Sequence, residues 1–126
     1  MLNSGTTSAG TSGSLLFSSG KATNGKSGAV LVSVGSGTSR SGGSIYAVAG
    51  QTTDTASGGD ISITTGHGMM TSSGSLEIFS PNAGANGVSG ALQFVSGTTS
   101  SGNSGSISLV TGASTTGKGG DIVLIV

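Results

Sequence analysis

One histidine, His67, lies in the stretch Gly66-His67-Gly68-Met69-Met70, and Asp60 and Asp121 open two short apolar runs at equivalent places. A histidine can move protons or ligate a metal near neutral pH, and paired carboxylates can hold a divalent cation through oxygens at about 2.3–2.6 Å. Neither chemistry is assembled here. His67 reads as an exposed loop residue, because no nucleophile, base and orienting group form a constellation around it. Asp60 and Asp121 read as solvated carboxylates that blunt lateral sheet association. With two strands per coil they fall two coils apart, about 9.6 Å, too far to share one ion. The Gly-Gly-Asp-Ile pairs lack the nine-residue period and recurrent Asp of calcium-binding repeats. The chain is therefore expected to be no enzyme, with no catalytic residue, no metal site and no cofactor.

Binding chemistry is equally sparse. Lys21, Lys26, Arg40 and Lys118 are scattered, whereas a nucleic-acid footprint needs a clustered basic face. Spacings such as Gly35-Ser36-Gly37 arise by chance among 26 glycines, and no P-loop lysine or helix follows to receive a phosphate. The longest apolar run, Ile122 to Val126, is far short of a membrane span. There is no cysteine, hence no disulfide framework. Asn103-Ser104 is followed by Gly105, so no Asn-x-Ser/Thr acceptor occurs, although hydroxyl-linked glycans stay open.

What is abundant is repetition. Gly13, Gly28, Gly43, Gly59, Gly74, Gly90, Gly105 and Gly120 recur every 15 or 16 residues, each leading a run: SLLFSS, AVLVSV, SIYAVA, DISITT, SLEIFS, ALQFVS, SISLVT and DIVLIV. A fixed short period marks an array. Disorder is the rival for so Gly-rich a chain, but disordered segments are poor in β-branched residues and usually highly charged. Here the net charge is zero and only 6% of residues are charged. Collagen would need Gly at every third position.

The second position of each run is Leu, Val or Ile, and the fourth is apolar throughout: Phe17, Val32, Ala47, Ile63, Ile78, Phe94, Leu109 and Leu124. A period of two predicts strands, with second and fourth positions buried and first, third and fifth outward. Ile63 and Ile78 are thus expected inside. A second glycine follows each run at Gly20, Gly35, Gly50, Gly66, Gly97 and Gly112, with Pro81 as the exception, and Gly5 stands at the same place ahead of Gly13. Either residue suits a corner where pairing stops.

A meander would use two-residue hairpins, commonly Asn-Gly or Asp-Gly, whereas the connectors here are repeatedly nine residues counting both glycines. They read as arcs lifting the chain by one strand spacing of about 4.8 Å. The expectation is an all-β fold: a parallel β-solenoid of about eight strands, two per coil of 30 to 31 residues, forming two face-to-face parallel sheets. Residues 1–126 form a single repeat array. It begins and ends inside a repeat, as an uncapped excerpt of a longer solenoid would.

Several outward third and fifth positions are apolar where a solvated sheet would be polar. Tyr46, Val48, Phe79, Val95, Val110, Val123 and Ile125 are the candidate lateral-assembly face. Two functions fit. One is a stiff structural rod that stacks or bundles into extracellular fibres, adhesive strands or wall material, its partners being further copies joined end to end or side by side. The other is a module whose flat face binds ice, mineral or polysaccharide. Ice recognition wants a regular rank of Thr-like groups. The third positions read Leu16, Leu31, Tyr46, Ser62, Glu77, Gln93, Ser108 and Val123, and the connector threonines Thr6, Thr7, Thr52, Thr53, Thr98, Thr99, Thr115 and Thr116 shift in register.

The stretches SGGDISITTG, KGGDIVLIV and SGNSGSISLVTG together resemble the long Gly/Ser/Thr-rich repeat regions of secreted or cell-surface proteins of diatoms and brown algae. The resemblance covers nearly the whole chain and is compositional. It implies an extracellular or cell-surface, structural or adhesive role. No signal peptide is visible.

Overall fold

The computed structural model describes residues 2–126. Among them no helix and no β-strand forms, which overturns the expected all-β, parallel β-solenoid and its two face-to-face sheets. The chain divides into two units, Met1–Ser62 and Ile63–Val126. Both are built from the same motif.

That motif is a closed loop. The connectors 5–13, 20–28, 35–43, 50–59, 66–74, 81–90, 97–105 and 112–120 each bend sharply at the middle, at 8–10, 23–25, 38–40, 53–56, 69–71, 85–87, 100–102 and 115–117. Their ends then meet. In Met1–Ser62 the Gly59 amide donates to the Gly50 carbonyl at 3.0 Å, and in Ile63–Val126 the Gly74 amide donates to the Gly66 carbonyl at 2.9 Å. An arc crossing between packed sheets would hold its ends about 10 Å apart. Connectors whose ends are in hydrogen-bond contact fold the chain back on itself, so the arcs of the expected coil do not exist.

The side chains explain why the connectors curl. In three of them a Thr stands two residues after the closing Gly. Thr7 Oγ1 donates to the Ala9 carbonyl at 2.7 Å and accepts the Ala9 amide at 3.3 Å. Thr99 repeats both bonds with Ser101 at 2.8 and 3.3 Å, and Thr52 Oγ1 accepts the Asp54 amide at 3.2 Å. Hydroxyls bonding backbone two residues on offer the chain a tight local turn in place of a ladder. Elsewhere the device changes: Ser114 Oγ accepts the Gly117 amide at 2.9 Å, and Ser73 Oγ accepts the Gly68 amide at 3.2 Å. Asn24 and Arg40, with φ of 61° and 66°, take the left-handed conformation at the bends of their loops.

Between loops the six-residue runs carry no ladder. The two Gly–Gly bonds are the sole backbone-to-backbone hydrogen bonds among the described residues. Apart from those bonded to side chains, the backbone polar groups face solvent, which satisfies them without the penalty of burial. Large apolar side chains follow them outward. No described residue is buried, and Ile63 and Ile78, expected inside, are 66% and 52% exposed. The dry seam of Leu, Ile, Val and Phe is therefore absent within the chain.

A trace of the pattern survives at the second positions alone, since the large fourth-position residues range from 52% to 85% exposed. Second-position residues, from Leu15 to Ile45, are 42–60% exposed, while third- and fifth-position apolar residues, from Val123 to Val48, are 72–87% exposed. Alternate side chains of an extended backbone point to opposite faces whether or not a neighbour pairs with it.

Candidate assembly surface

The loop bases bring residues nine or ten apart into contact. In all eight loops the leading Gly faces the side chain just ahead of the closing residue: Ser4, Ser19, Val34, Ala49, Thr65, Ser80, Ser96 and Thr111. A β-carbon placed on the Gly would stand 3.5–3.9 Å from the Cβ of that partner. Ser19 Oγ donates to the Gly28 carbonyl at 2.8 Å and Ser80 Oγ to the Gly90 carbonyl at 2.7 Å. Ala49, Thr65, Ser80 and Ser96 are among the few half-buried residues.

At seven of the eight leading glycines a β-carbon would meet only ordinary contacts, and Gly43 alone would press on the Val34 side chain. The signal of the pairing was present in the sixth position of the runs, which never holds a long side chain. Reading the second Gly as a corner drew attention away from the residue ahead of it, whose partner lies nine or ten residues on.

At two loop bases, apolar side chains from the flanking runs come together. Phe17 lies two residues before Ser19, Val30 two residues after Gly28, and they share a shallow recess with Leu31, Val32 and Ser33. In the other unit Phe94, two before Ser96, shares a second recess with Ile107, two after Gly105, and with Ser108 and Leu109. Both recesses have a fourth-position Phe on one side and the second to fourth positions of the next run on the other. They are apolar, open and free of charged residues.

The candidate lateral-assembly residues stand clear of these recesses. In Met1–Ser62, Tyr46 and Val48 are 85% and 87% exposed; in Ile63–Val126, Phe79, Val95, Val110, Val123 and Ile125 range from 72% to 87%. They occupy the outward positions that the alternation assigns. They are not a face of a β-sheet, since no sheet forms among the described residues.

His67, Asp60 and Asp121 are all exposed, His67 within the loop 66–74 and the two Asp at the starts of their runs. The coil spacing used to separate the carboxylates disappears with the coils. No group of three or more His, Cys, Asp or Glu among the described residues is placed to hold a metal ion. No helix among them is long and apolar enough to cross a membrane. Of the connector threonines weighed as an ice-binding rank, Thr7, Thr52 and Thr99 turn their hydroxyl oxygens onto their own loop backbones.

Whole-chain exposure sets the scale of what a partner could cover. The chain leaves 12656 Å² accessible, whereas a compact monomer of this mass would expose about 5,900 Å² and a fully unfolded chain about 17,000 Å². The apolar runs sit within that excess. No protein-family model, curated protein or solved structure matches the chain.

Proposed function

We propose that this chain is a non-enzymatic structural repeat protein that associates with further copies of itself into extracellular fibre, adhesive or wall material. The observation that carries the reading is periodic apolar exposure in a nearly uncharged chain: every run presents aliphatic or aromatic side chains to water, and none is buried against its own chain. Contiguous exposed apolar surface favours association, and a net charge of zero supplies little repulsion against it. The outward residues Tyr46 and Val48 of one unit, and Phe79, Val95, Val110, Val123 and Ile125 of the other, are the candidate contacts for lateral assembly. The extracellular placing rests on the Gly/Ser/Thr-rich repeat and its resemblance to algal secreted and cell-surface repeat regions. Recognition of ice, mineral or polysaccharide draws less support, because part of its hydroxyl rank is occupied within the loops.

Sedimentation velocity over a wide concentration range, with electron microscopy of the same samples, tests the proposal. Species larger than one chain should appear and grow with concentration, and filaments or sheets should be visible. A chain that stays monomeric at all concentrations, with dispersed particles on the grid, refutes self-association.

A further inference from the structure

Of the five asparagines, Asn24 and Asn86 precede a glycine. Both sit inside a loop bend, at 23–25 and 85–87, one in each unit. Their loops share a construction. Each is tied at its base by a serine hydroxyl, Ser19 Oγ donating to the Gly28 carbonyl and Ser80 Oγ to the Gly90 carbonyl. Neither has the hydroxyl that holds the bend in three other loops. Where those loops place Thr7, Thr52 and Thr99, two residues past the closing Gly, loops 20–28 and 81–90 carry Ala22 and Ala83. Among the described residues no backbone hydrogen bond ties either bend. Asn24 and Asn86 are exposed, and nothing lies within 4 Å of where a β-carbon would stand on Gly25 or Gly87.

We infer that Asn24-Gly25 and Asn86-Gly87 are sites of self-modification, at which the side-chain amide is exchanged for a carboxylate with water as the sole co-reactant. The glycine amide nitrogen attacks Asn Cγ and gives its proton to solvent. The new N–Cγ bond closes a five-membered succinimide, while the Cγ–Nδ2 bond breaks and the side-chain nitrogen takes up a proton and leaves as ammonia. Water then opens the ring. Cleavage of the N–Cγ bond yields aspartate, and cleavage at the α-carbonyl yields isoaspartate, whose backbone runs through the β-carbon. One water is consumed, one ammonia is released and nothing is oxidised or reduced. Glycine permits the attack because it carries no β-carbon beside the nitrogen and rotates freely. Asn3, Asn82 and Asn103 precede Ser, Ala and Ser, and Asn103 adjoins the bend that Thr99 holds. Conversion at both sites sets six acidic groups against four basic ones, taking the net charge from zero to −2. Neither step requires a second copy of the chain.

The test holds the full chain at physiological temperature in mildly alkaline buffer and maps its peptides by mass spectrometry at intervals, with electron-transfer fragmentation to distinguish isoaspartate from aspartate. Asn24 and Asn86 should convert about tenfold or more faster than Asn103, as the bare nitrogen of glycine implies, and both products should appear. Ala22→Thr gives loop 20–28 the hydroxyl that Thr99 gives its own loop, two residues ahead of Asn24. It should slow conversion at Asn24 by about two- to tenfold, the rate equivalent of one net hydrogen bond, and leave Asn86 at the wild-type rate. Conversion at Asn24 and Asn86 no faster than at Asn103, or a product free of isoaspartate, overturns the sites. An Ala22→Thr chain that converts Asn24 at the wild-type rate overturns the part given to the untied bend.

Discussion

At the scale of single residues, the glycines divide into two kinds with different physical demands. Leading glycines stand at loop bases, where a β-carbon on Gly90 would meet Ser80 Cβ at 3.5 Å, an ordinary contact. Gly68 differs. A β-carbon there would run into the backbone oxygens of Thr71 and Ser72, which cannot swing away as a side-chain tip can. Gly68→Ala should therefore open the loop 66–74 and release the Gly74 amide from the Gly66 carbonyl, at a strain of about 1–3 kcal/mol. Gly90→Ala should leave its loop closed. Amide hydrogen exchange at Gly74, followed by NMR, measures the first effect, and unchanged exchange in Gly68→Ala would contradict the loop geometry. Some of this was legible beforehand, since the regular glycines announced a backbone constraint. Which atoms imposed it was not, because the opposing carbonyls come from residues whose own types say nothing.

The loop is the element, and its closure is local. Thr99 supplies both a donor and an acceptor to Ser101, and Gly102, with φ of 93°, completes the bend. Thr99→Val keeps the side-chain shape and removes both bonds. Each exposed hydrogen bond of this kind contributes about 0.5–1.5 kcal/mol net, so the variant should loosen the bend at 100–102 without disturbing the loop 112–120. Backbone chemical shifts of residues 97–105 against 112–120 check this, and spreading of the change to the second loop would show that the loops are coupled. The connectors were read as plain arcs because they lack large apolar residues. That reasoning treated small polar residues as passive, whereas Thr7, Thr52 and Thr99 direct the chain through their hydroxyls.

At the scale of the whole molecule, the unpaired runs make a measurable claim about the single chain. With no ladder among the described residues, amides in runs such as 75–80 and 106–111 depend on water for their hydrogen bonds. In a dilute sample below the assembly concentration they should exchange with deuterium at near-intrinsic rates, slowing by orders of magnitude once copies associate and exclude water. Slow exchange in the dilute monomer would mean that the runs pair within one chain, against the structure. The apolar alternation was plain in the sequence, yet only its second positions are distinctly less exposed, at 42–60%. Burial did not follow from it. Alternation states which side chains share a side, not whether anything lies against that side.

The order of residues determined by itself the 15–16-residue period, the glycines that flank the connectors and the two-residue apolar alternation of the runs between them. These are local properties, set by glycine's freedom and the two-residue alternation of an extended chain. Only the tertiary structure decided that the connectors close instead of bridging, as the 2.9 and 3.0 Å bonds at Gly74 and Gly59 show. A nine- or ten-residue connector has the reach for either path. The choice between them turns on where its two ends meet, a non-local distance that spacing along the chain does not encode.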